Sequence, residues 1–370
     1  MKTPAHALLA ALVALLIACG APTQSIGGAS PADVADAEAV LEDASSPVED
    51  AAAVPPAGPD AGSLTQALRV VVKPNGQGDA EVVGAIRSAT RSVRLFIYLL
   101  TDADVIDALI ARARAGVDVR VLLNRTFPGN SSDMQPTFDR LAAGRVKVAW
   151  APAAFTYMHA KTLVVDDRLA WIMTMNLTVA GSTGNREYLV EDREPPDVAQ
   201  AAALFDADYA NRAYTPSSAL VIAPVNARAT LTDLVASATR SIDVEGETLS
   251  DNRLADALVA ARRRGVTVRV VLARDRTPTT ARVEAVASLK SAGVPVVAYG
   301  ADSGAGSSAT PYVHAKVLLV DGARAYVGSA NFTANALDSN REVGLVVRDA
   351  VAAASVARTI DADFRAGSRL

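Results

Sequence analysis

The sequence predicts an α/β protein made of two similar domains, and three observations carry that prediction. The chain has 370 residues, half of them hydrophobic, which leaves room for two domains of about 150 residues, each with a substantial core. From residue 64 onward strand-like and helix-like segments alternate, and they do so twice in the same order. Polar residues also recur in register. His159, Lys161, Asp166, Asn176, Thr178, Asn185, Arg186 and Glu187 return 155 positions later as His314, Lys316, Asp321, Asn331, Thr333, Asn340, Arg341 and Glu342, with no gap between His and Glu. Repetition of polar as well as apolar positions suggests a site built twice.

Residues 1–18 look like a secretion leader: one basic residue, Lys2, then an apolar run over residues 7–17, then small residues. The run is too short for a bilayer span, which needs about 20 residues. It ends at Cys19, the one cysteine of the chain, so no intramolecular disulfide can form. Leu16-Ile17-Ala18-Cys19-Gly20 resembles the lipobox of bacterial lipoproteins. That resemblance implies a lipidated Cys19 and a place in the bacterial cell envelope, on the outer membrane or its periplasmic side. Residues 19–63 hold eight acids and no Lys or Arg among Ala, Pro, Gly and Ser, the composition of a disordered, self-repelling tether. The remainder carries 35 bases against 32 acids, which slightly favours an anionic substrate but makes no basic nucleic-acid stripe.

The first domain, residues 64–214, opens with a strand at 68–72, a helix at 80–90, a strand at 93–99, a helix at 103–115 stopped by Gly116, and a strand at 117–123. The second, residues 215–370, repeats this with a strand at Leu220 and Val221, a helix at 229–239, a strand at 242–246, a helix at 253–264 stopped by Gly265, and a strand at 266–272. Here the offset is 149, so a six-residue insertion precedes His314, and the Gly/Ser/Ala-rich stretch 300–310 is its expected place. Basic residues Arg262, Arg263 and Arg264 close a helix, where they favour its C-terminal dipole.

Alternate strand residues share a face, so His159 points with Lys161 and His314 with Lys316. Asp166 and Asp321 are an odd seven positions away, and Asp166-Asp167 and Asp321-Gly322 look like hairpin turns. This spacing suits a structural role for the two aspartates. On the return strands Thr174 shares a face with Asn176, and Ser329 with Asn331. Further on, Asn185 pairs with Glu187 and Asn340 with Glu342. Arg186 and Arg341 alternate away from their glutamates and suit structural ion pairs. Trp150, Phe155, Tyr157 and Met158 suit strand-end core packing, with an apolar entrance wall as the alternative.

The string His-x-Lys-x4-Asp, with Asn ten residues on and Glu eleven beyond it, resembles the phospholipase D superfamily over essentially all of residues 64–370. The resemblance implies two α/β sandwich domains about a pseudo-twofold axis, with the active site at their interface. It places His159, Lys161, Asp166, His314, Lys316 and Asp321 in the catalytic motifs. Thr174, Asn176, Ser329, Asn331, Glu187 and Glu342 are its phosphate-binding and supporting residues. Gly328-Ser329-Ala330-Asn331 keeps the family's Gly-Ser-x-Asn. Met173-Thr174-Met175-Asn176 departs from it, and Met in place of Gly would narrow the approach to the phosphate.

These residue types fit phosphodiester chemistry. One neutral imidazole can attack phosphorus while the other, protonated, delivers a proton to the leaving oxygen. The lysines, asparagines and hydroxyls can stabilise the phosphate, and each glutamate can hold an imidazole N–H. By resemblance His159 is the nucleophile and His314 the acid. No cofactor is expected, and no metal, because a lysine beside each imidazole makes a poor inner shell. The expected activity is that of a phospholipase D-like phosphodiesterase hydrolysing or transphosphatidylating phospholipid head groups. The alternatives are a non-specific endonuclease of the same superfamily and a weakly active phosphate-binding protein, the latter motivated by Met173. Expected partners are a phospholipid substrate and the membrane reached through the anchor, with nucleic acid as alternative substrate, and the chain is expected to be a monomer.

Overall fold

The structure, a computed structural model, describes residues 67–125, 127, 128, 132–216 and 220–370. The leader, Cys19 and the whole acidic segment lie outside them. The first repeat runs β1 (Leu68–Lys73), α1 (Ala80–Ser88), β2 (Ser92–Ile97), α2 (Ala103–Arg114), β3 (Asp118–Leu123), α3 (Gln135–Ala143), β4 (Lys147–Trp150), β5 (Thr162–Val165), β6 (Leu169–Met173), α4 (Val179–Thr183), β7 (Asn185–Asp192) and α5 (Pro195–Tyr209). The second runs β8 (Val221–Ala223), α6 (Ala227–Ala236), β9 (Ser241–Gly246), α7 (Asn252–Arg263), β10 (Thr267–Ala273), α8 (Thr280–Ser291), β11 (Val296–Tyr299), β12 (Tyr312–Val313), β13 (Lys316–Val320), β14 (Arg324–Gly328), α9 (Ala334–Asp338), β15 (Glu342–Val347), α10 (Ala350–Ala366) and β16 (Ser368–Arg369).

Local chemistry sets the boundaries. Helix α2 starts where the Asp102 carboxylate accepts the amides of Asp104 and Val105, and α7 where Asp251 accepts that of Leu254. Both are followed by glycines at φ +91°, Gly116 and Gly265, which take the left-handed turn that ends the helix. Two helices are shorter than the sequence suggested. The expected helix 80–90 stops at Ser88 because the amides of Thr90 and Arg91 donate to the Asp166 carboxylate. The expected helix 229–239 spans Ala227–Ala236, and Thr239 and Arg240 donate to Asp321 in the same way.

The sheet orders are β1-β7-β6-β5-β2-β3-β4 and β16-β11-β10-β9-β13-β14-β15-β8, with β12 added to the first sheet beside β7. Each sheet combines a parallel trio (β2-β3-β4, β9-β10-β11) with an antiparallel set running outward from β5 or β13. Strand β4 pairs with β3 as β11 pairs with β10, with Leu123↔Trp150 answering Leu272↔Ala298, so the equivalence is still near 149 at β3 and β10 and one residue less at β4 and β11. The insertion therefore lies between Tyr299 and His314, where the sequence put it. Helices α1 and α2 cover one face of the first sheet, and α6 and α7 one face of the second. The inner faces of both sheets, with α5 and α10, share a third, central core. Residues 66–370 thus form one compact unit. Among the described residues no helix is long and apolar enough to cross a membrane.

Candidate active site

The seam between the repeats is stitched reciprocally. The amide of His159 donates to the backbone oxygen of Arg341 at 2.9 Å, and that of His314 to the backbone oxygen of Arg186 at 3.2 Å. Strand β12 pairs with β7 through Tyr312↔Asn185 and Val313↔Arg186, and Met158 bridges to Arg341. Such i-to-j, j-to-i exchange is the signature of a twofold relation. Contrary to the strand alternation expected for them, neither histidine stands on a strand. Strand β5 begins at Thr162 and β13 at Lys316, so both imidazoles sit in the extended lead-ins that cross the seam.

Each imidazole is gripped by the other repeat. His159 Nδ1 lies 2.9 Å from Glu342 Oε2, and His314 Nδ1 lies 2.7 Å from Glu187 Oε1. Both glutamates are buried, and so are the two hydroxyls that support them. Thr174 Oγ1 donates to Glu187 at 2.5 Å and Ser329 Oγ to Glu342 at 2.6 Å. Asn185 and Asn340 donate to the same two carboxylates at 3.2 and 3.1 Å. A carboxylate on Nδ1 holds the proton there and leaves Nε2 to face the seam. Lys161 Nζ donates to the backbone oxygen of His159 at 2.7 Å, and Lys316 Nζ to that of His314 at 2.5 Å. Burial pulls Lys161 down to about 7 despite the nearby Glu342, and burial likewise lowers His159 below its ordinary value.

The repeats differ at one position that the sequence analysis overlooked. Tyr98 and Glu247 are equivalent at the 149 offset and follow β2 and β9. The Tyr98 ring packs edge-on against His159 with centroids 4.7 Å apart, and Lys161 Nζ lies 5.0 Å from the centre of that ring. Glu247 instead puts a carboxylate beside its histidine. Glu247 Oε2 is 3.5 Å from His314 Nε2 and 3.0 Å from Lys316 Nζ, and Oε1 accepts the Tyr312 hydroxyl at 3.0 Å. Burial opposes its charge, but Lys316, His314 and a hydrogen bond from Asn331 hold its carboxyl well below the usual range. An acid opposite a tyrosine at a strand end in the repeat alignment was the signal available.

Not every expected site residue joins the cluster. Asp166 sits at the opposite end of β5 from His159, and its carboxylate accepts the amides of Thr90, Arg91 and Ser92 at 2.7–2.8 Å. Asp321 does the same for Thr239, Arg240 and Ser241. Neither reaches an imidazole, so both brace a turn, as their odd spacing implied. The Oδ1 atoms of Asn176 and Asn331 are buried with no hydrogen-bond partner among the described residues; as acceptors they offer nothing to the oxygens of a phosphate, which only the N–H side of an amide can meet. Met173 does not narrow the site. Its side chain joins Trp171 and Leu189 in the outer core under the helices, on the sheet face opposite Thr174, and the motive for a merely phosphate-binding protein goes with it.

Arg186 and Arg341 form the expected ion pairs, with Asp363 at 2.6 Å and Asp208 at 2.8 Å. Trp150 stacks on Phe138, and Met158 is buried in the central core. Tyr157 packs edge-on against Tyr98, while Phe155 lies under the Arg341 guanidinium. The entrance-wall reading therefore keeps only Tyr157, which touches the ring beside His159. Among the described residues no group of three or more His, Cys, Asp or Glu side chains is placed to hold a metal ion.

Comparison with known proteins agrees with this duplication. The family described as "Cardiolipin synthase, PLD-like domain" matches residues 82–209 and again residues 231–365, once per repeat. Over 114 residues the chain is 37% identical to a mitochondrial cardiolipin hydrolase of Xenopus laevis, an alignment covering 31% of this chain and 50% of that protein. The chain thus spans half the length of this relative. Phosphatidylserine synthase of Haemophilus influenzae Rd KW20 superposes with a TM-score of 0.61 at 12% identity, over 82% of this chain and 87% of that one. Polyphosphate kinase of Porphyromonas gingivalis gives 0.64 at 14% identity, over 82% and 48%. At these identities the two structures share the fold.

Proposed function

The chain belongs to the phospholipase D superfamily, and from that premise we propose that it cleaves a phospholipid at its head-group phosphodiester, or passes the phosphatidyl group to another alcohol. The observation that carries this reading is the crossed pair of imidazole–carboxylate contacts, His159 with Glu342 and His314 with Glu187. Each repeat supplies one imidazole, and one reaction needs both. The Nε2 lone pair of His159 forms the N–P bond while the P–O bond to the leaving group breaks. The departing oxygen takes the electron pair and a proton from His314 Nε2. Water or an alcohol then attacks phosphorus and returns its proton to His314, and the N–P electron pair goes back to His159. Lys161 is placed to balance charge on the non-bridging oxygens.

Three observations support a lipid rather than a nucleic acid as substrate. The matching family is described by cardiolipin synthase, the frog relative is named a cardiolipin hydrolase, and beyond the acidic segment the chain's bases and acids nearly balance. We further propose that Cys19 carries acyl chains that hold the protein in the bacterial envelope, at about 0.8 kcal/mol for each buried CH₂. The deciding assay gives the protein detergent-dispersed cardiolipin, phosphatidylglycerol and phosphatidylethanolamine beside plasmid DNA, with EDTA present. Release of head group or phosphatidic acid is the expected result. Cleavage of DNA alone would make the protein a nuclease, and activity that EDTA abolishes would refute the metal-free reaction. Acyl labelling of Cys19 and cell fractionation test the anchor.

A further inference from the structure

The crossed contacts make the two repeats near-equivalents, and equivalents do not explain why one imidazole should attack and the other donate. The exception to the symmetry lies at Tyr98 and Glu247. We propose that Glu247 is the positioning residue that divides the labour: its carboxylate keeps the transferable proton on His314 Nε2, which makes His314 the acid and leaves His159 to attack. The inference rests on the phosphodiesterase reading of the site.

The electrostatics follow from what faces each ring. His314 has a carboxylate at each nitrogen, Glu187 at Nδ1 and Glu247 at Nε2. His159 has one, Glu342, and the edge of Tyr98 in place of the second. A lysine stands beside each histidine and by itself would disfavour a second positive charge. Glu247 cancels that effect at His314, because its Oε2 also binds Lys316. At His159 no such carboxylate pairs with the lysine among the described residues: Lys161 Nζ meets the backbone oxygen of His159 and the Tyr98 ring. Tyr312 and Asn331 hold the Glu247 carboxylate from β12 and from beyond β14, and Arg282 of α8 donates to its backbone oxygen. The carboxylate is therefore fixed rather than free to swing away. Pairing with Glu247 occupies Lys316, so Lys161 becomes the cation left for the phosphate.

The variant Glu247→Gln keeps shape and removes charge. A general acid matters most when the leaving oxygen is a poor leaving group. The full-length wild type and E247Q are therefore compared on phosphatidylglycerol, whose alkoxide needs a proton, and on phosphatidyl-p-nitrophenol, whose phenolate does not. For E247Q, kcat on phosphatidylglycerol should fall at least about 10-fold, a fraction of the ~10²- to 10⁴-fold that acid catalysis supplies. On the nitrophenyl ester it should change less than about 3-fold, with KM no higher on either. Quenching the wild type in alkaline detergent, which preserves an N–P bond, should trap the phosphatidyl group on His159 alone, and E247Q should also label His314. Equal losses on both substrates, or label confined to His159 in E247Q, would overturn the role of Glu247. A wild type that turns over neither substrate would instead overturn the phosphodiesterase reading.

Discussion

At the scale of single residues the site brings together two imidazoles, one from each repeat, each held by a glutamate of the other. Because neither repeat holds both a nucleophile and an acid, His159→Asn and His314→Asn should each reduce turnover by several orders of magnitude. The double variant should be little worse than either single one, since residues acting as a unit are strongly non-additive. Half-activity in each single variant would mean two independent sites. The rate should be bell-shaped in pH, with apparent values belonging to the pair. His159 must be neutral to attack, and burial lowers it from its ordinary 6.5. The acid limb should therefore have its midpoint below 6.5, activity appearing as pH rises through it. These two residues were legible from the duplicated string. Glu247 was not, because it belongs to no motif and gains meaning only from standing beside His314 Nε2.

At the scale of elements, Asp166 and Asp321 tie the end of a strand to the loop after a helix. Four donors converge on Asp166, the amides of residues 90 to 92 and the Thr90 hydroxyl. Burial opposes the charge, yet these hydrogen bonds hold both aspartates at about 2, below the ordinary 3.8. A carboxyl depressed in the folded state stabilises it fully above its unfolded value. That contribution should persist above pH 4 and fade as pH falls toward 2. Asp321→Asn should lower Tm at pH 7 by roughly 2–5 °C, given about 1.5–3 kcal/mol for a charged hydrogen bond, and leave kcat of the folded fraction nearly unchanged. Abolished turnover at unchanged Tm would place Asp321 in the reaction instead. Met173 gives the complementary test. Its counterpart Gly328 has no room for a side chain, since a Cβ would meet Gly344 Cα at 2.5 Å and the Tyr326 hydroxyl at 2.6 Å. Met173 itself fills the outer core, so Met173→Gly should destabilise by about 2–5 kcal/mol through the cavity left without raising the rate. A faster enzyme would show that Met173 obstructs the phosphate after all. Strand alternation already pointed Met173 away from Thr174, although the family motif drew attention to the missing glycine.

At the scale of the whole molecule, the two repeats share a central core and exchange residues across the seam, so a complete site forms within one chain. Mixing H159N chains with H314N chains should restore no activity, because each chain keeps its damaged imidazole opposite its intact one. Recovery toward a quarter or half of wild-type activity would reveal exchange between chains and a domain-swapped assembly. The reciprocal ion pairs Arg186–Asp363 and Arg341–Asp208 also tie each seam strand to a terminal helix of the opposite repeat, so loosening α10 should disturb the seam as well as the core.

By itself the sequence determined the duplication, the alternation of strands and helices, the place of the insertion and the residue types of the site. All of these follow from local periodicity and from residues repeating at constant spacing, which a linear string records directly. The tertiary structure alone decided that each glutamate serves the other repeat's histidine, that the two aspartates brace turns, and that Met173 faces the helices. It also placed Glu247 where the pair of histidines becomes unequal. Those facts depend on which backbone crosses the seam and which face of a sheet meets its partner. The free energies that settle such contacts, burial of apolar faces and pairing of buried charge, act between positions far apart along the chain, where spacing carries no information.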